Sequence, residues 1–434
     1  MRKTPDPRMS DRADPNPRVP DTPADPRIFG LGPVALISIA QLFGTSLWFS
    51  ANAATDGLMR DWGATAAGIG WLTNAVQGGF ILGTLGLSLT GLADRFRAST
   101  LFVASAVLGA LANAAFAWLA DGIGTGIALR LIVGLALAGV YPIGMKLVVA
   151  WAPQRTGPAL AVLVSMLVLG TALPHLMRWT GGGLPWQWIV TASSALALIG
   201  AALVGRLGDG PHLPRQLRAG GQRAGQRAAQ DAAPPAAQAS ALSAFRLPRF
   251  RAAALGYFGH MWEVYALWTI VPLLAVGTGI AGEYPWLGPY GLSFAVIGMG
   301  AVGCLIGGRL SARLGSERVA LAALTISGLC ALGFAAFWAV LPAPVLLVLL
   351  LVWGASVAPD SPQFSALSAD ASPREIVGGA LAIQNAVGFA ISMVSIGWAT
   401  ALYGRIGADV TWLLVPGPAL GIAAYLLTRR AARW

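Results

Sequence analysis

Gly134-Leu135-Ala136-Leu137-Ala138-Gly139-Val140-Tyr141-Pro142 has a counterpart 220 residues further on, Gly354-Ala355-Ser356-Val357-Ala358-Pro359-Asp360-Ser361-Pro362, with the outer glycine and proline in register. Leu47-Trp48 returns as Leu267-Trp268 at the same offset of 220, and Gly157, Ala159, Leu160 and Ala161 return as Gly378, Ala380, Leu381 and Ala382 at 221. Glycine and alanine are abundant here, so a single match carries little. Order and spacing kept across both halves mark a duplicated unit.

The unit is apolar. Hydrophobic residues make up 56% of the chain and charged residues 11%, against about 25% charged in an ordinary soluble domain. Stretches of bilayer length recur at roughly 30–52, 66–89, 99–119, 122–149, 158–177, 186–205, 251–276, 291–310, 318–338, 342–361, 376–401 and 410–428. A duplicated set of membrane helices is the signature of secondary transporters, with the solute between the repeats. The two cysteines, Cys304 and Cys330, fall inside spans eight and nine and read as packing residues.

A net charge of +11 could suggest a nucleic-acid partner, but its distribution argues otherwise. With the amino terminus on the cytoplasmic side, 24 of the 29 Lys and Arg residues fall in cytoplasmic segments, and only Arg60, Arg178 and Arg405 fall on the other side. Such a bias orients a membrane protein. The expectation is a multi-pass protein of a bacterial inner membrane with both termini cytoplasmic, the lipid bilayer as its surroundings and no nucleic-acid partner. Residues 1–29, with repeated Asp-Pro and Pro-Arg, read as a tail without the apolar core of a signal peptide. Residues 206–249 are rich in Arg, Ala, Gln, Gly and Pro, with almost no large apolar residue between 218 and 241, and read as a flexible linker. Two bundles, 30–205 and 250–428, and a short tail at 429–434 complete the division.

Twelve spans, a six-plus-six repeat and a long basic central loop resemble the major facilitator superfamily. The loop after span two makes the likeness specific. Gly91-Leu92-Ala93-Asp94-Arg95-Phe96-Arg97 is similar to the superfamily's Gly-x-Leu-Ala-Asp-Arg-x-Gly-Arg signature, with Thr90 at the first glycine, Arg97 at the second and Ala98 at the final arginine. A weaker copy, Gly308-Arg309-Leu310-Ser311-Ala312-Arg313-Leu314-Gly315, follows span eight. Arg130 and Gly134 resemble the Arg-x-x-x-Gly pattern of span four. The resemblance covers about residues 30–430. It implies an all-α, polytopic membrane protein with twelve transmembrane helices in two six-helix bundles, working as a monomer. It also implies that Asp94, with Arg95, latches one conformation against the start of span eleven. There Ser372-Pro373-Arg374-Glu375 reads as a capping serine, a proline at the first helical position and a glutamate three residues after the cap.

Ionisable residues deep in a span are costly, which makes each informative. Arg130 lies in span four and Glu263 near the middle of span seven, with His260 three residues earlier on a shared face. Spans one, four, seven and ten line the cavity in the resembled family, so Arg130 and Glu263 are expected to project into it from opposite halves, Arg130 towards an anionic solute or towards Glu263. Glu263, modulated by His260, is the expected proton-coupling group. Gln41, Trp48, Asn52, Tyr265 and Trp268 are the expected solute contacts, aromatics reading shape and a few polar groups reading orientation. Lys146 lies near the inner end of span four and reads as a snorkelling residue. Asp360, between Pro359 and Pro362, is expected to be at least as structural as functional. Gly79-Phe80-Ile81-Leu82-Gly83 and Gly303-Cys304-Leu305-Ile306-Gly307 are small-residue packing patterns.

No HExxH, CxxC, GxxxxGK[ST] or GxSxG motif occurs, and there are only three histidines. Neither an enzyme nor a cofactor or metal site is therefore expected, and without a nucleotide-binding loop uphill movement must run on an ion gradient. Ser165-Met166-Leu167-Val168-Leu169-Gly170 and Gln384-Asn385-Ala386-Val387-Gly388 stand where nitrate carriers would show glycine-rich signatures. Leu173-Pro174-His175 stands where drug/proton antiporters would show theirs. The expected activity is secondary active transport of a small solute by alternating access, coupled to protons, with an anion favoured by Arg130. The alternatives are a proton-driven efflux pump and a transporter-like sensor or assembly factor.

Overall fold

The computed structural model describes residues 27–212, 241–373 and 376–431, apart from the side chain at position 94. These residues are almost wholly helical, with no β-strand among them. The first half runs α1 (Pro33–Thr45), α2 (Thr55–Trp62), α3 (Ala66–Thr90), α4 (Leu92–Arg95), α5 (Ala98–Trp118), α6 (Ile123–Ala138), α7 (Tyr141–Trp151), α8 (Thr156–Thr180) and α9 (Trp186–Leu207). The second runs α10 (Pro248–Gly277), α11 (Ile280–Glu283), α12 (Gly288–Leu314), α13 (Ser316–Phe337), α14 (Ala343–Ser356), α15 (Asp360–Asp370), α16 (Val377–Ile406) and α17 (Pro416–Ala431).

Eight helical stretches among the described residues are long and apolar enough to cross a membrane, the last of them, Val377–Ala431, containing both α16 and α17. The remaining three passages are α3 and α10, of 25 and 30 residues, and the 13-residue α1 with the turn that follows it. α3 and α10 carry Asn74, Gln77, His260 and Glu263 within them, which dilutes their apolar character without shortening them. The result is twelve passages in two six-helix sets. α3 packs on α16 and α8 on α12 across the two sets, with Asn74 Nδ2 donating to the Met393 carbonyl at 3.0 Å.

The 220-residue repeat marks broken helices. α6 stops at Ala138, and Pro142 at the second position of α7 has no N–H to continue the ladder. α14 stops at Ser356, and α15 begins between Pro359 and Pro362. The glycines that open the two copies are contact points. A Cβ on Gly134 would collide with the Val76 carbonyl of α3, and one on Gly354 with the Val296 carbonyl of α12. Val76 and Val296 are themselves 220 residues apart, so the duplication preserves a helix-helix contact and not merely a composition.

The first passage breaks for a different reason. Thr45, Ser46 and Ser50 donate their hydroxyls back to the carbonyls of Gln41 at 2.8 Å, Phe43 at 2.6 Å and Leu47 at 3.1 Å. Such back-bonding competes with the helical ladder, and the chain turns through Ser46–Ala51 into a short 3-10 segment, Asn52–Ala54, before α2. Bilayer-depth backbone can be irregular only where its polar groups are met from within the protein. That requirement places Arg130.

One expectation needs correction. The stretch expected to be linker ends earlier than its composition suggests. Ala241–Arg246 forms a 3-10 turn and α10 begins at Pro248, because Ala244 and Phe250 bury themselves against Ala380 and Phe245 packs edge-on to Phe250 at 4.8 Å. Residues 1–26, 213–240 and 432–434 of the expected tails and linker lie outside the described residues. The expected cap at Ser372 runs through Arg374 and Glu375, which lie outside the described residues; among those described, the Ser372 hydroxyl donates to the Ser368 carbonyl at 2.9 Å, and α16 starts at Val377 behind Ile376.

Candidate functional site

Aromatic rings from both halves meet at the centre of the molecule. Trp48 and Phe49, on the broken first passage, face Tyr265 and Trp268 of α10. Trp48 stacks on Tyr265 at 5.8 Å and on Phe389 of α16 at 5.7 Å, while Phe49 meets Trp268 edge-on at 6.0 Å. Phe80 of α3 lies 4.7 Å from Phe389 and 6.4 Å from Tyr141 of α7. Trp48 and Trp268 are the two copies of the repeated Leu-Trp pair, so the duplication puts one indole on each side of the centre. Both are fully enclosed, and neither Nε1–H has a hydrogen-bond partner among the described residues.

Several buried polar atoms are without a hydrogen-bond partner among the described residues. Gln77 shares a face of α3 with Phe80 and Thr84, and its carboxamide is buried without a partner, as is the Thr84 hydroxyl. The Gln384 carboxamide on α16 is likewise buried and unpaired. Gln41 is unpaired too, but it lies against Gly144 of α7, inside the first bundle. Asn52 donates to Thr73 Oγ1 at 2.9 Å and keeps an unpaired Oδ1. Burying so many unmatched polar groups is costly unless something meets them.

Arg130 and Glu263 do not face each other. Each is enclosed by its own bundle. Arg130 Nη1 donates to Ser50 Oγ at 3.0 Å and Asn113 Oδ1 at 2.8 Å, and Nη2 to the Leu47 and Trp48 carbonyls at 3.0 and 2.5 Å. The guanidinium also lies 5.7 Å from the Phe116 ring. It takes up the carbonyls that the break in the first passage leaves free, and so holds Trp48 in place. Glu263 accepts from Ser327 Oγ of α13 at 2.7 Å and from Trp353 Nε1 of α14 at 2.6 Å. The expected pairing of these two charges across a cavity is therefore corrected. Each instead ties together three equivalent passages, the first, third and fourth around Arg130 and the seventh, ninth and tenth around Glu263.

His260 parts company with Glu263. One turn earlier on α10, its Nδ1 lies 2.9 Å from Asp360 Oδ1 at the start of α15, at an angle outside hydrogen-bond geometry. The Tyr257 ring is 5.9 Å from the His260 ring.

At the face away from the chain ends, the halves are tied directly. Tyr290 at the start of α12 donates its hydroxyl to Asp56 Oδ1 at 2.6 Å and accepts from the Asp56 N–H at 3.0 Å. Arg178 of α8 donates to Asp56 Oδ2 at 2.6 Å, and Trp179 Nε1 to the Trp286 carbonyl at 2.8 Å. Burial alone would push the Asp56 carboxyl up, but the Tyr290 hydroxyl and the Arg178 guanidinium outweigh it and hold the group below its ordinary value. At the face that carries the ends, Lys146 Nζ donates to the Ala93 carbonyl at 2.6 Å, tying α7 to the loop motif. Arg95 is exposed at the end of α4. The Asp94 side chain and Glu375, both parts of the expected latch, lie outside the described residues.

Phe49, Phe80, Tyr141, Phe389, Gln77 and Gln384 were not singled out by sequence reasoning as contacts, nor were Asp56, Arg178 and Tyr290. Trp48, Tyr265 and Trp268, expected as solute contacts from the aromatic and polar residues of spans one and seven, do meet in the cage.

Twelve passages in two repeated bundles, with an enclosed polar-aromatic centre between them, define a polytopic membrane protein built on an internal repeat. The Major Facilitator Superfamily profile matches residues 34–397, and the chain belongs to that superfamily. Among curated proteins it is 29% identical to the niacin transporter NiaP of Acinetobacter baylyi over 242 residues, which is 51% of this chain and 54% of the relative. The chain thus matches about half the length of that relative. Among solved structures it resembles the inward-open xylose transporter XylE of E. coli, with a TM-score of 0.70, 14% identity and coverage of 92% of this chain and 95% of the other. A D-xylose-proton symporter gives a TM-score of 0.69 at 15% identity, covering 91% and 96%. The human organic anion transporter MFSD10 gives 0.66 at 17%, covering 91% and 98%. At these identities the structural likeness speaks for the fold alone.

Proposed function

We propose that the protein takes up a small planar aromatic solute bearing a carboxylate or amide edge, by alternating access and at the expense of a proton gradient. The observation that carries this is the cage of Trp48, Tyr265, Trp268 and Phe389, drawn from both halves, with two buried indole N–H groups left unpaired. Flat rings bind between stacked aromatics, and convergent donors fix the orientation of a polar edge. An anion would be met by the indoles and the Gln77 and Gln384 amides. Arg130, in this reading, holds the broken passage in place. The name of the NiaP relative supports the choice, since niacin is an aromatic ring acid. In this reading the chain ends are cytoplasmic in a bacterial inner membrane, which the bias of basic residues supports, so that the Asp56–Tyr290 face is periplasmic and the described state closed to that side.

The test is uptake in proteoliposomes of radiolabelled nicotinate, nicotinamide, benzoate and xylose under an imposed pH gradient, acid outside. Ring acids or amides should accumulate, and Trp48→Ala and Trp268→Ala should abolish saturable uptake. Accumulation of xylose with no uptake of any aromatic solute would refute the proposal.

A further inference from the structure

A proton-driven carrier needs a group whose surroundings change when the halves rock against each other. Glu263 is poorly placed for that. Each of its carboxylate oxygens already accepts a hydrogen bond, from Ser327 or Trp353 of its own bundle.

Asp360 is differently situated. Its side chain is fully buried, neither oxygen has a hydrogen-bond partner among the described residues, and His260 Nδ1 lies 2.9 Å from Oδ1. It opens α15 just after the break at Val357–Pro359, where the positive end of a helix favours a carboxylate. The titratable groups around the pair are few. α10 presents Tyr257 and Glu263, and α12 presents Cys304. α13 presents Cys330, which stands beside Glu263, and α17 presents Tyr425 against Phe364. From the opposite half α7 presents Tyr141, an electrostatic neighbour of both Tyr257 and Cys304, with Lys146 nearer the face that carries the chain ends. Tyr141 and Tyr257 therefore bring the moving boundary between the halves next to the pair.

We propose that the His260–Asp360 pair is where the coupled proton binds and leaves, with Glu263 bracing the seventh, ninth and tenth passages. Neutral imidazole beside carboxylate carries one negative charge, and one proton taken from solvent neutralises the pair without any other group changing state. The inference rests on the proton-driven reading above.

The experiment needs no substrate. Nitroxide labels at Leu119→Cys and Val340→Cys, both on exposed loop positions of opposite halves, report the width of the Asp56–Tyr290 face by electron-spin distance measurement on the full chain in nanodiscs. In the otherwise unaltered chain the wide and narrow populations should exchange with one midpoint between about pH 5 and 8. Asp360→Asn should flatten that profile, His260→Gln should move its midpoint, and Glu263→Gln, which removes a neighbouring carboxyl, should leave a pH-dependent profile in place. A flat profile before any of these three substitutions would overturn the proton-driven reading. A profile that survives Asp360→Asn, or that Glu263→Gln flattens, would overturn the pair alone. If Asp360→Asn fails to give a monodisperse protein, His260→Gln decides: an unmoved midpoint overturns the assignment.

Discussion

Tyr290→Phe removes one hydroxyl and should open the face that the Asp56–Tyr290 contact closes. The hydroxyl makes two hydrogen bonds across the halves, donating to Asp56 Oδ1 at 2.6 Å and accepting from the Asp56 N–H at 3.0 Å. A neutral hydrogen bond contributes about 0.5–1.5 kcal/mol net and one to a charged group about 1.5–3 kcal/mol. The Asp56 side chain is 44% exposed, so solvent screening reduces the charged bond to about 1 kcal/mol. Arg178 remains to hold the carboxylate, so no buried charge is orphaned. The net loss is about 1–2 kcal/mol, which corresponds to roughly a 5–30-fold change in a two-state population. The labels at positions 119 and 340 read that change as growth of the wide distance peak, while the melting temperature should move little. An unchanged distribution would refute the gate reading, and so would a narrower one. The same contact makes a pH prediction. The Asp56 carboxyl is held below its ordinary value of 3.8 in the closed state. Its contribution to closure is therefore fully present above that value and lost only as pH falls below it. Titration between about pH 5 and 8 should leave this latch untouched, so a midpoint there reports a different group.

Arg130→Ala should cost about 1–3 kcal/mol of stability, because the buried Trp48 carbonyl loses the guanidinium donor while Ser50 still donates to the Leu47 carbonyl; a thermal melt within about 2 °C of the parent, roughly 1 kcal/mol or less, would show that the clamp is dispensable. Gly354→Ala should disturb the α12–α14 contact as Gly134→Ala disturbs α3–α6, since in each a backbone carbonyl occupies the space of the new methyl group. Both variants should melt lower, and a neutral result for either would show that the passages can separate freely at that point.

The class of protein was legible in local properties. Apolar length and basic-residue bias add up along the chain whatever its neighbours do, and the 220-residue repeat is visible without knowing which residues touch. The repeat even anticipated three-dimensional features, since Gly134 and Gly354 make equivalent contacts and Trp48 and Trp268 enter the same cage. Which way a charge points was not legible. His260 and Glu263 are three residues apart on α10, a spacing that places them on one side of an isolated helix. In the bundle the small angular difference between them is enough for His260 to meet α15 and for Glu263 to meet α13 and α14. The partners of Arg130 were equally out of reach, because its acceptors at Leu47 and Trp48 exist only where the first passage unwinds. Hydrophobicity and charge bias act on whole segments and survive averaging over neighbours. A buried hydrogen bond depends on angles and on distances of a few tenths of an ångström, and only the packed structure decides those.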